Sequence, residues 1–117
     1  MSRNKPPESL RRVELHILLS VVDRPRHGYA ILQEAEERTD GRPGVEFPTL
    51  YRALRRLRAA GLIRKVAPPR PEADARRDYW AATARGRRAL EEELRRLEVT
   101  IAVGRARMDP ATTDGNE

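Results

Sequence analysis

Proline and glycine cut this chain into elements of nearly fixed length. Arg24-Pro25, Thr39-Asp40-Gly41, Gly61 and the prolines at 68, 69 and 71 each end a regular stretch, whereas no proline occurs from 72 to 109. Ser9 is placed to cap a first helix reaching about Asp23. Gly28 opens a second, ended by the glycine at 41, with Pro43 and Gly44 in the loop that follows. Pro48 sits in the first turn of a third helix, where proline is tolerated, and that helix runs to about Ala60. Leu62–Val66 and Arg77–Ala82 have strand composition and flank a long basic loop. Thr83 then caps a last helix over 84–107, about 36 Å long at a rise of ~1.5 Å per residue.

Three short helices, a hairpin and a long helix predict a mainly α fold with a two-stranded antiparallel wing: a winged helix-turn-helix plus a long C-terminal helix. The expected division is a winged domain over 1–83, a dimerisation helix over 84–108 and a disordered tail over 109–117. The first helix is too apolar for a single buried face. Val13, Leu10, Ile17 and Val21 form one group on a 100° wheel, and Leu18, Val22, Leu15 and Leu19 another; together they cover roughly two thirds of the circumference. In the last helix Leu90, Leu94, Leu97 and Ile101 recur at 4-3-4 spacing, a seam of about two heptads, too short for an autonomous coiled coil. The predicted dimer interface therefore joins Leu15, Leu19 and Val22 to Leu90, Leu94, Leu97 and Ile101.

The chain has no cysteine, which excludes disulfides and thiolate metal sites. No apolar run approaches the roughly 18–20 residues that span a bilayer, and the N-terminus lacks the apolar core of a signal peptide, so no membrane association and a cytoplasmic location are expected. Only His16 and His27 are present, outside any metal-binding spacing. No nucleophile elbow, phosphate loop or dinucleotide fingerprint appears. No catalytic residue, metal or cofactor is expected, and the chain reads as a non-enzyme.

The charge is basic and uneven. Net charge is +6, and all but two of the 24 cations are arginine, the exceptions being Lys5 and Lys65. Residues 28–46 carry Glu34, Glu36, Glu37, Asp40 and Glu46 against Arg38 and Arg42. Residues 47–71 hold no acid but carry Arg52, Arg55, Arg56, Arg58, Arg64, Lys65 and Arg70. Such a block is the footprint of a polyanion-binding surface. On the third helix Leu50, Leu54 and Leu57 share the face that holds it to its domain. Pro48, Arg52 and Arg55 lie opposite, with Arg56 slightly aside and Thr49 and Tyr51 at the borders. Arg52 and Arg55 are expected to read base edges in the major groove, and Thr49, Tyr51 and Arg56 to fix position on the backbone. Lys65, Arg70, Arg76 and Arg77 place further cations on the wing. Trp80, on the opposite face of its strand from Tyr79, is expected to pack against the third or last helix.

Leu15-His16-Ile17-Leu18-Leu19, Arg26-His27-Gly28-Tyr29-Ala30-Ile31, Thr49-Leu50-Tyr51-Arg52-Ala53-Leu54, Gly61-Leu62-Ile63 and Gly86-Arg87-Arg88-Ala89-Leu90 occur in an order and spacing that resemble the PadR family of bacterial transcriptional regulators, over roughly residues 10–100. The resemblance implies a dimeric winged-helix repressor that binds double-stranded DNA and dimerises through its C-terminal helix. It places Tyr29, Thr49 and Tyr51 near the DNA backbone. The chain departs from the family in having Pro48 where Gly or Ser is common, and Tyr79-Trp80-Ala81-Ala82-Thr83 where an aromatic is usually followed by Leu-Thr. The short C-terminal helix is similar to that of the smaller subgroup. Some members sense small molecules at the dimer interface; with only five aromatics, nothing here marks such a cavity, and an effector is left open. The competing reading is a winged-helix protein-interaction module whose arginines only confer solubility.

Overall fold

Helix α1 (Arg12–Val21) begins where Glu14 folds its carboxylate back to accept the Arg11 N–H at 2.9 Å, so Arg11 rather than Ser9 is the cap. The structure, a computed structural model, describes residues 9–40, 46–71 and 73–109. Along α1, Ile17, Leu18 and Val21 are no more than 2% exposed, while Leu15, Leu19 and Val22 are half-buried. The helix ends at Val21 instead of Asp23. Its last turn contains no cation, but two terminal carbonyls find guanidinium donors elsewhere. Arg26 Nε donates to Ser20 O at 2.6 Å, and Arg87 Nη2 to Val22 O at 2.9 Å.

Helix α2 (Gly28–Thr39) is capped by His27, whose Nδ1 accepts the Ala30 N–H at 3.2 Å. It stops at Asp40, which takes the left-handed conformation (φ 56°) expected of the following glycine, a position that lies outside the described residues. Helix α3 (Phe47–Ala59) has Pro48 in its first turn. It closes in a Schellman arrangement: Gly61 is at φ 78°, Gly61 N–H bonds to Arg58 O, and Leu62 N–H bonds to Leu57 O.

The sheet holds one more strand than the sequence pattern showed. Arg26–His27 forms β1, which pairs with β3 (Tyr79–Ala82), and β3 pairs with β2 (Ile63–Val66), all antiparallel in the order β1-β3-β2. The hairpin is the expected one, although β3 starts at Tyr79 rather than Arg77. Tyr79 and Trp80, adjacent in β3 and so on opposite faces of the sheet, are both buried. Trp80 joins the main core, as its position opposite Tyr79 predicted, and Tyr79 meets the His27 ring edge-on at a centroid distance of 5.5 Å.

Helix α4 (Ala84–Met108) is capped by Thr83, whose hydroxyl accepts the Gly86 N–H at 3.0 Å and donates to Gly61 O at 2.6 Å. Its first turns belong to the domain: Gly86, Ala89 and Leu90 are buried, and Leu90 packs in the same core as Ile17, Leu54 and Trp80. Leu90, expected at the dimer interface, is thus enclosed within its own protomer at 4% exposure. The remainder of α4 projects outward and gives the molecule a long axis of 62 Å. Asp109 caps α4, and the tail expected beyond it lies outside the described residues.

Gly86 allows the close approach of α4 to the rest of the domain. A Cβ there would stand 2.0 Å from the Leu62 carbonyl oxygen. Gly86→Ala is therefore expected to cost about 1–3 kcal/mol by forcing α4 off the sheet, visible as a lowered midpoint in chemical denaturation; an unchanged midpoint would show that this contact relaxes freely.

Candidate nucleic-acid interface

The amphipathic pattern of α3 fixes what it shows to solvent. Leu50, Ala53, Leu54 and Leu57 are at most 1% exposed and hold the helix to the domain. Pro48, Thr49, Arg52 and Arg55 are exposed on the outer side, with Tyr51 at 51%. Arg52 Nη2 reaches Thr49 Oγ1 at 3.4 Å, one turn earlier, which draws the guanidinium toward the head of the helix. The head of a helix also carries a local positive potential.

Two further elements flank the head of α3. Tyr29, in the first turn of α2, is 46% exposed, and the Arg77 guanidinium lies 6.0 Å above its ring. A cleft of about 370 Å³ runs between them, bounded by His27, Tyr29, Tyr51, Arg76 and Arg77. Tyr29, Tyr51, Arg76 and Arg77, far apart in sequence, are thereby brought to one place. Arg70 borders a second groove, of about 650 Å³, on the β1 side of the wing, and Arg77 reaches both. Lys65 contacts two residues that also line the first cleft, with its ammonium 3.6 Å from Asp78 and 6.0 Å from the Trp80 ring centroid.

Arg56 is placed differently from its neighbours. Its Nε donates to the carboxylate of Glu14, which is 5% exposed, so this arginine bridges α3 to α1. Asp74, which is not among the residues expected at the site, accepts from the Arg76 backbone N–H at 3.0 Å and faces the Arg76 and Arg77 guanidinia at 3.3 and 3.4 Å. Those hydrogen bonds to Arg76, backbone first, hold the Asp74 carboxyl below the usual carboxylate range. The spacing of Asp74 from Arg77 was a readable signal for this turn.

Among the described residues no cluster of His, Asp and Glu could hold a metal ion, and no helix is long and apolar enough to cross a membrane. A profile of the transcriptional regulator PadR-like family matches residues 17–92. The chain belongs to this family. It is accordingly a DNA-binding transcriptional regulator, and the acid-free block forms part of its winged helix-turn-helix. The fold agrees with a PadR-like regulator from Bacillus cereus, at TM-score 0.72 and 20% identity, over 83% of this chain and 91% of that one. It agrees equally with a PadR family regulator from Clostridium difficile, at TM-score 0.70 and 22% identity, over 80% and 94%. A transcriptional regulator from Clostridium thermocellum is 25% identical, at TM-score 0.64, over 78% and 84%. A search of curated proteins gave no match.

Both histidines of this PadR-like chain are poised against protonation. Burial, followed by the nearby Arg77, lowers the pKa of His27 below 6.5, with Asp74 opposing. Burial, followed by Arg38 and Arg12, lowers that of His16. The lone pair of His27 Nδ1 takes the Ala30 N–H and lies 3.1 Å from Arg77 Nη1, and protonation would end both contacts. A base with a depressed native pKa binds fewer protons folded than unfolded, so stability rises with pH across that gap. The unfolding midpoint is expected to fall as pH drops below about 6.5, and His27→Asn, which keeps an acceptor for the cap, is expected to flatten that dependence. An equally steep profile in the variant would exclude His27 as the source.

Proposed function

We propose that this PadR-like chain acts as a homodimeric repressor that reads a pseudo-palindromic operator with Arg52 and Arg55, while Thr49, Tyr51, Tyr29, Arg76 and Arg77 grip the flanking phosphates. The observation that carries this reading is the convergence of the α3 head, the α2 head and the wing on one basic face, with the aliphatic side of α3 fully buried behind it. A guanidinium on the outer face of a helix suits the paired acceptors of guanine in the major groove. Pro48 supplies no N–H, so phosphate at this helix head is met by its neighbours.

The dimer follows from apolar surface that one chain leaves uncovered. Beyond Leu90, α4 exposes Leu94, Ile101 and Met108 on the seam side. Gly104 continues the seam spacing between Ile101 and Met108, with nothing within 4 Å of where its Cβ would be. Val99 and Val103, at 62% and 45% exposure, fall on the other side of the helix at 100° per residue. Two apolar sides on one projecting helix suit insertion between two elements of a partner, and α1 of a second copy offers Leu15, Leu19 and Val22. Twofold association would set two α3 helices about one DNA turn apart. A small-molecule effector lodged between the chains would act by changing that separation.

The test begins with a duplex selected by the wild-type chain from a randomised pool. Arg52→Ala is expected to lose about 1–3 kcal/mol of discrimination between that duplex and random DNA, whereas Arg76→Ala is expected to weaken both equally and reduce the salt slope by about 1. Equal losses on both duplexes for Arg52→Ala would remove it as a base reader. Sedimentation is expected to show a dimer at micromolar concentration, converted to monomer by Ile101→Asp; a monomeric wild type would end the dimeric reading.

A further inference from the structure

Glu14 is the only buried carboxylate among the described residues, and its two oxygens serve two elements. Oε1 accepts the Arg11 N–H and so starts α1, while Oε2 accepts from Arg56 Nε on α3. An ionised carboxylate at 5% exposure is tolerated only when paired, and removing its partner leaves an uncompensated charge. The pair therefore fixes the position of α3 along α1 in a way that the neighbouring leucines alone do not, since apolar contacts are non-directional. Arg56 follows Arg55 directly and lies one turn from Arg52, so a shift at Arg56 displaces both proposed base readers.

We infer that the Glu14–Arg56 pair is a strut that sets the pose of the recognition helix, making both of them positioning residues that act on DNA through Arg52 and Arg55. This departs from the expectation that Arg56 grips the backbone, and it rests on the proposal that α3 reads bases. Nε of Arg56 is committed inside the protein, and the energy of that bond goes into orienting α3.

The strut and a direct phosphate contact predict opposite behaviour in a double-mutant cycle. Glu14→Gln keeps an oxygen to accept the Arg11 N–H but removes the charge facing Arg56. If the pair is a strut, Glu14→Gln and Arg56→Gln each reduce discrimination between the selected and random duplexes on the order of tenfold, roughly one base contact. The double variant then loses no more than either single one, because both remove the same interaction. The salt slope on random duplex stays that of the wild type. If Arg56 instead grips a phosphate, Arg56→Gln lowers the slope by about 1 on both duplexes and Glu14→Gln binds as well as or better than the wild type; that result overturns the strut. Should a variant fail to fold, the wild-type chain decides by NMR. The Arg56 Nε–H resonance is expected to keep its position when the selected duplex binds, and its displacement on binding would overturn the proposal. A wild type that selects no sequence from the pool would refute the base-reading proposal and, with it, the strut; unaltered discrimination in the variants refutes the strut alone.

Discussion

Helix α1 is held by arginines that come from every other helix. Arg56 of α3 meets Glu14 near its start, Arg38 of α2 donates to His16 O at 2.9 Å, and Arg87 of α4 donates to Val22 O at its end. Arg26 of β1 adds a bond to Ser20 O and an ion pair to Glu34 at 3.2 Å. These bonds surround an apolar stripe, Ile17, Leu18 and Val21, that is no more than 2% exposed. A chain of this size buries too little apolar surface for a wide margin of stability. Charge-assisted hydrogen bonds to helix carbonyls are among the stronger polar contacts available to it. Once α1 is fixed, the positions of α2, α3 and α4 follow, and with them the face proposed to meet DNA.

This arrangement commits many of the arginines to the fold itself. Arg26, Arg38, Arg56 and Arg87 all have internal partners, and Arg58 stands 5.7 Å from the Trp80 ring centroid. Arg52 and Arg55 remain on the outer face of α3, and Arg76 and Arg77 remain on the wing beside Asp74. Asp74 tethers the two wing arginines into a turn, and in the proposed complex it competes locally with phosphate for them.

Much of the fold was legible because its signals are local. Pro48, Gly61 and Thr83 each mark a helix end through a fixed backbone requirement, and the structure places all three where those requirements predicted. The α3 faces were equally readable, since Leu50, Leu54 and Leu57 keep helical spacing. Strand β1 could not be read, because two residues carry no periodicity and pair only once β3 lies beside them. The spacing of the α4 seam does not show where core packing ends: Leu90 continues the spacing of Leu94 and Leu97, yet it packs on the protomer's own core. Arg55 and Arg56 show the same limit, since adjacent identical residues point to solvent and to Glu14, and only the fold distinguishes them.

In the proposed complex α3 enters the major groove of duplex DNA in two copies. Methylation protection at guanine N7 on the selected duplex tests this most directly, because N7 lies in the major groove. The expected result is two protected clusters about one helical turn apart, each lost when Arg52 and Arg55 are both changed to Ala. Full N7 reactivity across a duplex that the protein demonstrably occupies would contradict it.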